Sequence, residues 1–135
     1  MQEYVRAQTS TLLRRCAYQL NQAAKSCDQE AVHDLRVAIR RLNRCLQVFS
    51  QFYPGNSGKK LRRRLKTLME AAGHVRDLDV AIQLVADAGV DRKAALSYRM
   101  AEVRRQARRN LLHEVRLWKG RGFSRKWRTA LGLDA

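Results

Sequence analysis

An all-α fold, an antiparallel bundle of four long helices closed by a short C-terminal one, is predicted by three features of the sequence. Leu, Ala and Arg abound while the 135 residues hold one Pro and seven Gly, a balance that favours helix over strand. Apolar residues recur at i, i+3/i+4 and i+7 through most of the chain, the period of helices that each bury one stripe. The breaks between these segments are short, which makes successive helices antiparallel neighbours. With 45% hydrophobic residues the chain is no disordered basic tail, and its length suits one domain, 1–135, with a real core.

The first helix is expected over about 3–25, with Val5, Leu12, Cys16, Leu20, Ala23 and Ala24 on its stripe and polar Thr9 and Gln19 at the edge. Ser26 or Asp28 then caps a second helix, 28–53. It buries Leu35, Ile39, Leu42, Leu46, Phe49 and Tyr53, and Pro54-Gly55-Asn56-Ser57-Gly58 breaks it. Asn56 or Ser57 caps a third helix, 57–87, with Leu61, Leu65, Leu68 and Ala72 inward; Gly73 interrupts its pattern and Gly89 is its stop. Asp91 caps a fourth, 91–119, burying Leu96, Met100, Val103, Ala107, Leu111 and Trp118. The segment 124–131 makes the closing helix.

Charge is the strongest functional signal. Twenty-eight Lys/Arg against twelve Asp/Glu give +16 and a pI near 11, which points to a polyanionic partner: nucleic acid, a polyphosphate or an anionic surface. The distribution sharpens this. Between Leu35 and Met69 stand ten Lys/Arg and no acid, so the i,i+4 acid–base pairing of an ordinary exposed helix is missing. On the second helix His33, Arg36, Arg40 and Arg44 share one face, opposite the leucine stripe, with Arg41 at its edge. The third helix repeats the design with Lys59, Arg63 and Lys66, Arg62 beside them, and the fourth aligns Arg105, Arg109 and Arg116. His33, in line with the arginines, can donate to a phosphate oxygen, and a bound anion would favour its charged form.

Other motifs carry less. Gly55-x-x-Gly58-Lys59-Lys60 lacks the spacing, the Ser/Thr and the preceding strand of a phosphate loop. His74-Val75-Arg76-Asp77 lacks the later Asn of a kinase loop. Asp77 and Asp79, two apart on a helix, do not face each other and suit an ion-pair network with Arg76 better than acid–base chemistry. No nucleophile–base–orienter set is visible, and no cofactor is implied. Cys16, Cys27 and Cys45 are odd in number without CxxC spacing, which reads as reduced thiols in a cytosolic protein and not as a zinc site. There is no run of about 18 apolar residues to span a membrane, and the N-terminus lacks the plan of a signal peptide.

Val32-His33-Asp34-Leu35-Arg36-Val37-Ala38-Ile39-Arg40-Arg41-Leu42, with Leu46 and Phe49 following, resembles the opening motif of the CHAD domain, the conserved histidine α-helical domain. Gly73-His74-Val75-Arg76-Asp77-Leu78-Asp79-Val80 resembles its second signature, with Ala72 where Leu is usual. The resemblance implies a cytoplasmic, all-helical protein, in some relatives associated with polyphosphate granules, that binds inorganic polyphosphate through basic side chains. By position it carries over His33, Arg36, Arg40, Arg44, Arg63, Lys66 and Arg76 as anion contacts; periodicity adds Lys59, Arg105 and Arg109. Typical members have two related halves around a basic channel, and this chain resembles the N-terminal one. Either the chain is a fragment of a two-half domain, or two copies associate as a homodimer whose basic faces build the missing wall of the channel; the second is the expectation, with polyanion relieving the repulsion between the faces. Non-catalytic polyphosphate binding is the first reading. A nucleic-acid-binding bundle using Trp118 and Trp127 to stack on single strands is the second, and a phosphate-processing accessory or enzyme the third.

Overall fold

A computed structural model describes residues 1–91, 94–120 and 122–134. The helices are α1 (Glu3–Lys25), α2 (Gln29–Val48), α3 (Ser57–Asp87), α4 (Ala95–Gly120) and α5 (Phe123–Ala130), with a 3-10 turn at Ser50–Phe52. Among the described residues there is no strand. α1 packs on α2 and α4, and α3 packs on the same two, so that α1 and α3 are diagonal, as are α2 and α4.

Local chemistry sets the boundaries. The Asp28 carboxylate accepts the Ala31 N–H at 2.8 Å and the Ser26 hydroxyl at 3.2 Å, capping α2. α2 ends at Val48, short of the expected Tyr53. Pro54 disfavours α geometry in the residue before it, and Tyr53 is extended, with φ −91° and ψ 143°. Asn56 makes no side-chain cap; the Ser57 hydroxyl instead donates to the Pro54 carbonyl at 2.7 Å. α3 runs unbroken through Gly73, where a side chain would meet nothing. It stops at Gly89, whose φ of +82° lets Gly89 and Val90 donate back to Ala86 and Val85. α4 starts at Ala95, after the expected Asp91, whose carbonyl accepts from the Ala94 N–H and the Ser97 hydroxyl; Arg92 and Lys93 of that expected first turn lie outside the described residues.

The core collects Leu13, Leu20, Leu35, Ile39, Leu42, Leu46, Leu61, Leu65, Leu68 and Leu111, each almost fully buried. Two corrections to α1 follow. Leu13, not Leu12, is the fully buried leucine, and Thr9 is core rather than edge. Thr9 is tolerated because its hydroxyl donates to the Val5 carbonyl at 2.7 Å and bonds the Tyr53 hydroxyl at 2.8 Å, so both buried oxygens are partnered. Burial pushes the Tyr53 phenol well above its ordinary acidity range. All three cysteines are buried and free, and burial pushes the Cys16 thiol up to about 12.

α4 differs most from expectation. Ala107, Leu111 and Trp118 are buried, as is the unanticipated Val115, but Leu96 is 50% and Val103 43% exposed. The cause is length: α3 and α4 have 31 and 26 residues against 23 and 20 for α1 and α2. Their paired ends project as an arm, and no described residue from Val80 to Gln106 is buried. Where arm and body meet, the buried Asp79 carboxylate on α3 accepts from Arg104 of α4.

Candidate anion-binding groove

α2 and α3 run antiparallel with their leucine stripes turned inward, so the flanks of both helices meet along one surface seam. There the chain forms an open groove of about 660 Å³. Ile39, Leu65 and Met69 line its floor; Arg40 and Asn43 of α2 face Lys59, Arg62, Arg63 and Lys66 of α3, and Glu70 is its one carboxylate. Arg62 Nε donates to Asn43 Oδ1 at 3.3 Å across the groove, tying the walls together. Among the described residues, none of the ten Lys/Arg between Leu35 and Met69 belongs to an ion pair. Five cations thus gather along one groove with one carboxylate to offset them, an arrangement that an anion of several phosphoryl groups can neutralise with charge-assisted hydrogen bonds.

The sequence-derived residues divide in two. Arg40, Lys59, Arg63 and Lys66 line the groove together. Arg44 is exposed on α2 next to Arg40, and His33 is exposed one turn nearer the N-terminus than Arg36. The antiparallel register set by Asn43–Arg62 places His33 and Arg36 level with about residues 72 and 69 of α3; Arg76 is exposed on α3 about a turn beyond His33. Arg36 is half-buried, and its Nε is sealed from solvent without a partner, so an anion would be met by its terminal nitrogens. Arg105 and Arg109 are not on this groove. They lie on α4, diagonal to α2, and both pair with Glu102. The Arg105 hydrogen bond and charge, with Arg109 beyond, hold the Glu102 carboxyl below its usual range.

Asn43, a neutral amide, carries no charge signal in the sequence; the fold shows it opposite Arg62. The second-signature residues separate as well: Asp79 is buried against Arg104, whereas Asp77 and His74 are exposed. Trp118 of α4 and Trp127 of α5 are only 8% and 5% exposed, and Trp118 tilts against Phe123 of α5 at 4.9 Å, so they close the bundle where α5 packs on it. Among the described residues no helix is long and apolar enough to cross a membrane.

Fold and groove together define a class, a basic helical bundle with a cation-lined seam between two of its helices. Within that class the assignment is specific: the CHAD domain family model matches residues 7–135, nearly the whole chain, and the protein belongs to that family. No curated protein and no solved structure was found to match it.

Proposed function

We propose that this chain is a non-catalytic module that binds inorganic polyphosphate along the α2–α3 groove. The observation that carries the reading is the groove itself: Arg40, Lys59, Arg62, Arg63 and Lys66 without ion pairs over an apolar floor. Membership of the CHAD family, associated with polyphosphate, supports the choice of ligand. Release of counterions from the polyanion drives binding, so affinity falls steeply with salt. The non-catalytic part rests on how the carboxylates are used. Asp79 is held by Arg104, Glu102 by Arg105 and Arg109, and Asp28 by the start of α2, which leaves those three poor candidates for general acid–base work, and Glu70 lines the groove without a second carboxylate beside it. A nucleic-acid reading is weaker because both tryptophans it would use for stacking are buried.

The cytoplasmic location and granule association implied by the family resemblance belong to the same proposal, as does a homodimer. The arm suits a second copy. From Val80 to Val103 the sequence carries three basic and three acidic residues, so the whole +16 lies outside this stretch. Val80, Leu84, Leu96, Tyr98 and Val103 are exposed on it. Contact between two copies there brings balanced stretches together and keeps the basic faces of α2 and α3 out of the contact.

The test is binding of long-chain polyphosphate by the parent chain and by Arg40→Ala/Lys66→Ala at moderate salt, with duplex DNA and ATP as competitors. Each lost charge-assisted contact is worth about 1.5–3 kcal/mol, so the double variant should bind at least tenfold more weakly and DNA should compete poorly. Equal binding of every polyanion, indifferent to both substitutions, would reduce the groove to a solvated surface.

A further inference from the structure

α2 has a second flank, and it too carries cations. Between α1 and α2 lies another open groove, of about 540 Å³. Arg14 and Arg15 of α1 and Arg41 of α2 line it, with Tyr18 and Gln19 as further polar groups and Asp34 as its one carboxylate. All three arginines are exposed, and among the described residues none is in an ion pair.

The link between the two grooves is the angular order of residues around α2. At about 100° per residue, Arg44 lies about 40° round from Arg40 and Arg41 about 100° round on the same side. Arg40 lines the α2–α3 groove and Arg41 the α1–α2 groove. Arg44, exposed, therefore stands on the ridge between them. In angular order the cations follow from Lys66 and Arg63 through Arg40, Arg44 and Arg41 to Arg14 and Arg15, with Asp34 the one carboxylate lining the second groove.

We infer that the α1–α2 groove is a second anion subsite, and that one flexible polyphosphate chain crosses the ridge of α2 to occupy both grooves. This rests on the reading of the α2–α3 groove as the primary polyphosphate site. The subsite makes binding depend on chain length. A short oligophosphate fills one groove and prefers the one with five cations over the one with three. A long chain reaches the second groove at high effective concentration once the first is filled.

The test compares the parent chain with Arg14→Ala/Arg15→Ala/Arg41→Ala, using tripolyphosphate and long-chain polyphosphate over a range of salt. Circular dichroism checks that the exposed substitutions leave the helices intact. The expected result is tripolyphosphate affinity within about twofold of the parent and long-chain affinity reduced tenfold or more. The slope of log K against log salt for the long chain should also become shallower by about 2, at about 0.7 per lost phosphate contact on a flexible single strand. Long-chain affinity and slope unchanged in the variant would overturn the subsite while leaving the primary groove standing. Failure of the parent to bind polyphosphate of either length would overturn both.

Discussion

The body and the arm of this molecule are built from the same two helices and obey different rules. In the body, α3 and α4 are flanked by α1 and α2, and Leu61, Leu65, Leu68 and Leu111 are sealed from water. Past the Asp79–Arg104 pair the same helices have chiefly each other for neighbours among the described residues, and Leu84 and Leu96 stand at 64% and 50% exposure. The charge divides along the same line, all of the net +16 on one side and balance on the other. An apolar residue at helical spacing is thus not by itself a core residue: it needs a facing element, and a helix longer than its neighbours runs out of them.

The largest expected effect separates the two regions by stability. Leu111→Ala removes a fully buried side chain and should cost about 2–5 kcal/mol. Leu84→Ala, made on a residue already mostly in water, should stay within about 0.5 kcal/mol. Urea unfolding of dilute protein measures both. A cost for Leu84→Ala approaching that of Leu111→Ala would mean the arm is covered in solution, and the contrast would collapse.

A pH titration sharpens the contrast by a smaller amount, because a buried ionisable thiol exists only in the body. Burial raises the Cys16 thiol from 9.0 to about 12, so the folded state favours the protonated form more than the unfolded chain does. Its contribution is whole below pH 9 and is lost as pH rises from there toward 12. The slope is at most about 1.4 kcal/mol per pH unit within that window. The raised Tyr53 phenol acts in the same direction at higher pH. Cys16→Ala should flatten the fall in urea midpoint between pH 8.5 and 10.5; an unchanged fall would assign it to other groups.

The contrast also explains what could be read from the chain in advance. Leucine stripes, the Pro54 break and the basic faces of α2 and α3 are one-dimensional signals, and they place Arg40, Lys59, Arg63 and Lys66 on one seam. Hidden from that view was everything set by relative helix length and lateral neighbours. Leu96 and Val103 have the periodicity of a core and no element to face. Thr9 looks like an interruption until Tyr53, 44 positions away, supplies its partner. Arg105 and Arg109 share the spacing of the other basic stripes, and what sets them apart is legible locally: Glu102, one turn before Arg105 on the same helix, engages both. Arg14 and Arg15 are only a pair of charges until α2 brings Arg41 beside them.

The last prediction concerns what covers the arm. If two copies meet there, a carboxylate at its centre should prevent the meeting without touching the groove. Leu84→Asp/Leu96→Asp changes two side chains that the single chain leaves 64% and 50% exposed, so the monomer's stability should shift by only about 0.5 kcal/mol per site. Its binding of a tripolyphosphate too short to bridge two molecules should match the parent's. Sedimentation with tripolyphosphate present is the discriminating measurement, because the anion removes body–body repulsion while leaving the arm contact as the attraction. The parent should shift toward dimer as the anion fills the groove, and the variant should remain monomeric. Were both to dimerise equally, the contact would have to lie on the basic body, with the bound anion between the copies. A parent that stays monomeric at saturating anion would leave the arm without a second copy as its partner. Either result would turn the division between neutral arm and charged body into a statement about solubility alone, since an exposed apolar stretch within a strongly cationic molecule is protected from self-association by the charge around it.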